Sequence, residues 1–90
     1  MKHTLSGITE TREVFLDGEW LDPIPSQKYR NHSPDGFSWG YLGSGCAQLA
    51  LAIMLKLTSK PDGYQSFKFR VIGRLPFNED FNIEFDEEEL

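Results

Sequence analysis

From Cys46 to Leu57 the sequence offers almost no polar face. Only Gln48 and Lys56 are strongly polar among Ala47, Leu49, Ala50, Leu51, Ala52, Ile53, Met54, Leu55 and Leu57. A helix that is apolar on nearly every side has to be covered on nearly every side, so it is the centre of a fold and not its surface. At about 13 residues it is roughly 20 Å long, too short to cross a bilayer. A chain of 90 residues has one domain's worth of material to wrap it, so residues 1–90 read as a single domain.

The residues leading into the helix are ordered as a turn, an aromatic run and a corner. Ser33-Pro34-Asp35-Gly36 is turn chemistry. Phe37, Trp39 and Tyr41 alternate with Ser38, Gly40 and Leu42, which predicts a strand with three rings on one face. Gly40 within it marks a bulge or a close backbone approach. Gly43-Ser44-Gly45 turns the chain, with Ser44 as the expected N-cap.

On the N-terminal side, Leu5 and Ile8 fit a short edge strand. Arg12 to Leu16 fits a better one, with Val14 and Leu16 on one face and Phe15 on the other. Asp17-Gly18 is a favoured hairpin turn and Glu19-Trp20-Leu21 the return. Two prolines in Asp22-Pro23-Ile24-Pro25-Ser26 end the pairing, and Gln27 to His32 reads as a polar link anchored by Tyr29. Beyond the central helix, Asp62 with Gln65 has the spacing of a capping box. Tyr64, Phe67, Val71, Ile72 and Leu75 follow helical period, although Phe67, Phe69 and Val71 also alternate as a strand would. Pro76 stops the element. Phe81, Ile83 and Phe85 then alternate with polar residues as a half-buried strand, and residues 86–90 are expected to fray. The sum is an α+β domain. A small, mainly antiparallel sheet of N-terminal hairpin, aromatic strand and C-terminal strand packs on the central apolar helix and a second helix.

Charge is unevenly placed. Residues 1–76 carry nine Lys/Arg and seven Asp/Glu. Residues 77–90 carry seven acidic groups (Glu79, Asp80, Glu84, Asp86, Glu87, Glu88 and Glu89) and no basic one. The net −5 therefore describes a near-balanced body with an acidic end, either a solvated tail or a patch that engages a basic partner. The lone Cys46 excludes an intrachain disulfide and suits a buried, reduced thiol. Met1 to Gly18 lacks the apolar segment of a signal peptide, so the cytoplasm is the expected location.

Two stretches bring reactive residue types together. Gly43-Ser44-Gly45 before a helix can expose N–H groups to an anion, and glycines there also simply permit a tight turn. His32 and Asp35 with Ser44, Gly45 and Cys46 form a candidate ligand or anion site, containing the parts of acid–base or nucleophilic chemistry. The same polar residues in a Pro-Gly turn commonly bond to local backbone instead. No GxxxxGK[ST] or GxGxxG motif is present. His3, His32 and Cys46 lack zinc-ligand spacing, so neither a metal nor a cofactor is expected. The aromatic stretch has no interleaved basic residues, which argues against direct nucleic-acid binding. Gln48, one turn into the apolar helix, must find partners if buried, and the Asn31-to-Asp35 turn is the natural source.

The stretch Asn31 to Met54, NHSPDGFSWGYLGSGCAQLALAIM, resembles the signature of a family of small uncharacterised proteins from bacteria and phages. Its members read HSPDGFxWGYxGSGPAQLALAxL, followed by FK and LP steps matched here by Phe67-Lys68 and Leu75-Pro76. Asp17-Gly18 matches the family's hairpin. This chain has Cys46 where the family often has proline, which removes a rigid helix start. The resemblance implies a shared fold and a phage or mobile-element origin, and it supplies no catalytic residue.

Two functions are consistent with these observations. The first is a small non-enzymatic module that binds a host protein through the acidic end (Glu79, Asp80, Glu84, Asp86, Glu87 and Glu88), with a nucleic-acid-binding protein as one kind of target. The second is a small-ligand or enzymatic site at the His32–Asp35 turn and the glycine corner. A homodimer through aromatic or sheet-edge surface is a weaker third, and no membrane partner is expected.

Overall fold

A computed structural model describes residues 1–90. The apolar run forms α2 (Ser44–Thr58), in which every residue from Gly45 to Met54 is buried. Thr58 ends it by bonding its hydroxyl back to the Met54 carbonyl at 2.8 Å, and Ser59 turns the chain with φ +59°.

The sheet that covers α2 has the order β3-β2-β1-β4, antiparallel throughout. Its strands are β1 (Lys2–Ile8), β2 (Glu13–Leu16), β3 (Glu19–Trp20) and β4 (Phe81–Asp86). The Asp17-Gly18 turn has both centres at positive φ, +52° and +82°, as its sequence predicts. Alternation divides the sheet into two faces. Leu5, Val14, Leu16, Phe81 and Phe85 point into the core, whereas Lys2, Thr4, Asn82 and Glu84 meet water.

The α+β class with a mainly antiparallel sheet holds, but parts of the expected layout are corrected. First, Leu5 and Ile8 belong to a seven-residue strand at the sheet's interior, not to a short edge. Second, Phe37–Leu42 is not a strand. Its backbone is held from outside the sheet: Ser38 N–H donates to Gly45 O at 3.1 Å, and Gly40 N–H to Ile72 O at 3.0 Å. Gly40, at φ +82°, breaks the extended run. Phe37 and Trp39 are consequently buried while Tyr41 turns outward. Trp39 donates its indole N–H to Glu79 O at 3.0 Å and meets Phe81 edge-on.

Third, the polar link contains a short helix, α1 (Ile24–Tyr29). Prolines are tolerated in a first turn because their missing N–H would have no partner there. Ser26 is the residue α1 buries; Tyr29 is exposed and anchors nothing. The second helix, α3 (Tyr64–Arg70), forms where its period begins, but it ends at Arg70, short of Val71, Ile72 and Leu75, because Val71 leaves the helical conformation at φ −122°, ψ −61°. It is capped by Gly63 at φ +88° instead of Asp62, and a 3₁₀ turn (Ile72–Arg74) leads to Leu75-Pro76. Asp86 ends β4, and Glu87–Glu89 form a 3₁₀ turn with a capping box between Asp86 and Glu89. Leu90 packs against the core.

Gly40 lies where the chain passes close to the backbone of another segment. A Cβ there would sit 2.6 Å from Phe77 Cα and 2.8 Å from Leu75 O, both backbone atoms that cannot swing aside. Gly36 also has positive φ, at +104°, but open space around it. Gly36→Ala is therefore expected to cost about 1–2 kcal/mol from conformation alone. Gly40→Ala is expected to cost roughly 3 kcal/mol or more. Urea unfolding of the two variants measures the difference, and equal losses would refute the close approach.

Candidate functional site

The His32–Asp35 turn is organised by Gln48, which is fully buried. Its carboxamide oxygen accepts from His32 N–H at 2.7 Å and Ser33 N–H at 2.9 Å. Its amide group donates to Ser26 Oγ at 2.9 Å and Arg30 O at 3.1 Å. All four hydrogen-bonding positions of the side chain are filled, two donors and two lone pairs. The carboxamide joins α2 to α1 and to the turn, and a buried polar group so satisfied fixes a geometry that apolar packing alone leaves loose.

The other residues of the turn and corner do not converge. His32 Nε2 shares a 2.7 Å hydrogen bond with the Tyr64 hydroxyl. Burial, and then the charges of Arg30 and Lys68, hold its pKa below the ordinary 6.5. Asp35 is exposed and lines a cleft with Thr11 and Glu13. Ser44 is exposed and lies inside the helix, and the cap position is Gly43. Gly45 is pressed against Ser38, whose Cβ would lie 2.7 Å from a Cβ at Gly45. Cys46 is fully buried. Burial pushes its thiol pKa up against a smaller opposing pull from the Tyr41 and Gly43 backbone. Of the five residues, Asp35 alone lines a cavity. The geometry of the corner is that of a packed strut.

The acidic end is more accessible. Asp80 accepts from Thr9 N–H at 2.7 Å, and the Glu79 carbonyl takes the Trp39 indole. Glu84 and Glu88 are exposed, and their carboxylates make no hydrogen bond or ion pair. With Lys2, Phe85, Asp86 and Glu89 they line a shallow cleft of about 530 Å³. β4 is also the sheet's edge. Glu87 N–H donates to Met1 O, so alternation turns the backbone groups of Phe85, Ile83 and Phe81 toward β1 and those of Asn82 and Glu84 outward.

His3 is the residue that sequence reasoning passed over. It is buried on the core face of β1. Its Nδ1 lies 2.7 Å from Asp17 Oδ2 and its Nε2 2.8 Å from Glu87 Oε1. Carboxylates only accept, so filling both bonds requires both ring nitrogens to carry protons. The Asp17 bond is the largest cause that raises the His3 pKa above 6.5 and the Glu87 bond adds to it, against desolvation by burial. Asp17 is correspondingly held below 3.8, by His3 and then by Thr4 N–H. The two carboxylates flank opposite nitrogens and do not converge on a metal position, and no cluster of metal-ligating side chains is present. A signal did exist: period two places His3 beside Leu5 if β1 is extended to Lys2.

These features define a small α+β domain in which an enclosed helix is pinned by a buried amide and an acidic edge strand is left open. Over residues 5–89 the chain matches a family of unknown function, DUF6166, and it belongs to that family. No curated protein and no solved structure matches it. No helix is long and apolar enough to cross a membrane.

Gln48→Ala leaves two N–H groups, a hydroxyl and a carbonyl without their partner. It is expected to lower stability by about 3 kcal/mol in urea unfolding, and a loss under about 1 kcal/mol would show that the lock is dispensable. For His3 the folded pKa lies above the unfolded one. Its contribution is therefore complete below 6.5 and disappears as pH rises through the folded value. Asp17 contributes above 3.8 and is lost as pH falls through its own folded value. His32 acts oppositely to His3 and costs stability as pH falls below 6.5. Urea midpoints from about pH 5 to about pH 9 should decline on the alkaline side in the native protein and lose that decline in His3→Gln. An unchanged profile would contradict the doubly bonded ring.

Proposed function

We propose that this protein is a non-enzymatic interaction module that takes a basic, extended segment of a partner protein along the free edge of β4. The observation that carries the reading is the coincidence of unpaired backbone groups at Asn82 and Glu84 with the free carboxylates of Glu84 and Glu88. An added strand gains affinity from main-chain hydrogen bonds and selectivity from side chains, and acidic flanks favour Lys- and Arg-bearing strands. A nucleic-acid-binding surface of a host protein has that chemistry. The resemblance to phage and bacterial proteins supports an accessory role on a mobile element, acting in the cytoplasm.

Removing residues 86–90 would also remove the Glu87–His3 bond and the Leu90 contact, so charge reversal is the cleaner test. A partner recovered from host lysate should bind more weakly as salt rises from about 0.05 to about 0.5 M. Reversing Glu84 and Glu88 to Lys together should weaken it about tenfold, with the fold intact by circular dichroism. Salt-independent binding, or equal binding by the reversed protein, would refute the reading.

A further inference from the structure

The opposite kind of surface lies at Arg12. This residue closes the β1–β2 loop at φ +64°, a left-handed conformation that glycine or asparagine adopts more readily. Asn78 is also left-handed, at φ +57°, and the two side chains meet: Arg12 Nη2 donates to Asn78 Oδ1 at 2.9 Å. The guanidinium lies over the Trp39 ring, 5.3 Å from its centroid, and Nη1 reaches Ser38 Oγ at 3.5 Å. Two of its five N–H groups are thereby directed, and three are left. It forms no ion pair with any carboxylate.

Arg12 and Asn78 line an open groove of about 550 Å³ with Ser38, Gly40, Tyr41 and Phe77. Tyr41 and Phe77 stand edge to face with centroids 5.6 Å apart, and they are 42% and 55% exposed. Beside them Gly40 is packed on the Phe77 backbone and bonded to Ile72 O. The chain has 14 acidic residues and none of them lines this groove.

We infer that the groove is a second docking site, for a partner segment presenting a carboxylate side chain between apolar or aromatic neighbours. Charge complementarity selects the occupant. A half-buried guanidinium, fixed on three sides and lacking a counter-ion, offers a planar donor pair to a carboxylate. The exposed Tyr and Phe rings beside it are the residue types that anchor protein interfaces. The strained backbone at Arg12 gives the same indication, since a long cationic side chain stands where a smaller residue would fit with less strain. This site is separate from the β4 edge and takes a partner of opposite charge.

The test uses two acetylated and amidated pentapeptides, Gly-Phe-Glu-Phe-Gly and Gly-Phe-Gln-Phe-Gly, titrated into the native chain by NMR. The Glu peptide should shift the Arg12 Nε–H, the Trp39 indole and the Tyr41 and Asn78 amides, and should bind about tenfold more tightly than the Gln peptide. Arg12→Gly suits the left-handed backbone and removes the whole side chain, guanidinium included, with its contacts to Asn78, Ser38 and Trp39; it should abolish the difference between peptides. Phe77→Ser keeps Arg12 and should weaken both peptides. Glu84→Lys should leave both titrations unchanged, which separates this site from the β4 edge. Equal affinity for the two peptides, or shifts confined to other surfaces, would overturn the inference. So would benzoate binding the groove as tightly as the Glu peptide, because the site would then be one for small carboxylates.

Discussion

A helix buried over ten consecutive residues needs neighbours in every direction, and a chain of 90 residues has few regular elements with which to supply them. Sheet residues share one core cluster with the helix, and α1 and α3 cover parts of its other sides. Irregular backbone from Asn31 to Gly43 therefore has to pack against the helix too, and such backbone brings polar groups that need partners. Gln48 resolves that conflict. Its amide lies in the apolar helix yet supplies two acceptor bonds and two donor bonds to the segments that wrap it. No buried side-chain nitrogen or oxygen is left without a partner. The rest of the fold rests on this arrangement, because the turn, α1 and the entry to α2 all take their position from the same side chain.

The two histidines extend this logic to the periphery, with opposite signs. His3 is stabilised as a cation because it bridges two carboxylates from the hairpin turn and the C-terminal 3₁₀ turn. The pKa of His32 is held down by its partial burial and then by the positive charges of Arg30 and Lys68. The first favours acid and the second favours base, so the fold is expected to be most stable between their titrations. His3 also ties the C-terminal 3₁₀ turn, with its three adjacent glutamates, to β1. Glu87 is hydrogen-bonded to the His3 ring, and Glu89 caps the backbone of Asp86.

The most legible parts were those in which local pattern and tertiary role agree. The apolar period of α2, the Asp17-Gly18 hairpin, the alternation of β4 and the partner demand of Gln48 all follow from single-residue chemistry. The errors arose where tertiary contacts override local preference. Phe37, Trp39 and Tyr41 alternate like a strand, but one glycine at positive φ turns the third ring outward and gives the backbone to Ile72 instead of a neighbouring strand. β1 is rich in polar and small residues, Lys2, His3, Thr4, Ser6 and Gly7, so its pattern is faint. Pairing on both sides is what makes it a strand. The proposed convergence at the glycine corner rested on residue types alone, and Ser38 packing on Gly45 is not written in either residue's neighbourhood.

This has a consequence for where function can reside. The conspicuous stretch from His32 to Leu57 is mostly engaged in construction: Phe37 and Trp39 fill the core while Tyr41 turns outward, the turn is tied to Gln48, and the cysteine is buried. A residue whose hydrogen bonds and volume are already committed to the fold has little left with which to recognise anything else. The groups with unused capacity lie mostly at less conspicuous positions: the outward backbone of Asn82 and Glu84, the free carboxylates beside it, and the guanidinium of Arg12, without an ion pair, in a groove it shares with two exposed rings. These are an acidic edge and a cationic aromatic groove, two surfaces of opposite charge on one small rigid body. Under the two proposals above, one small domain would take partner segments of opposite charge at separate surfaces.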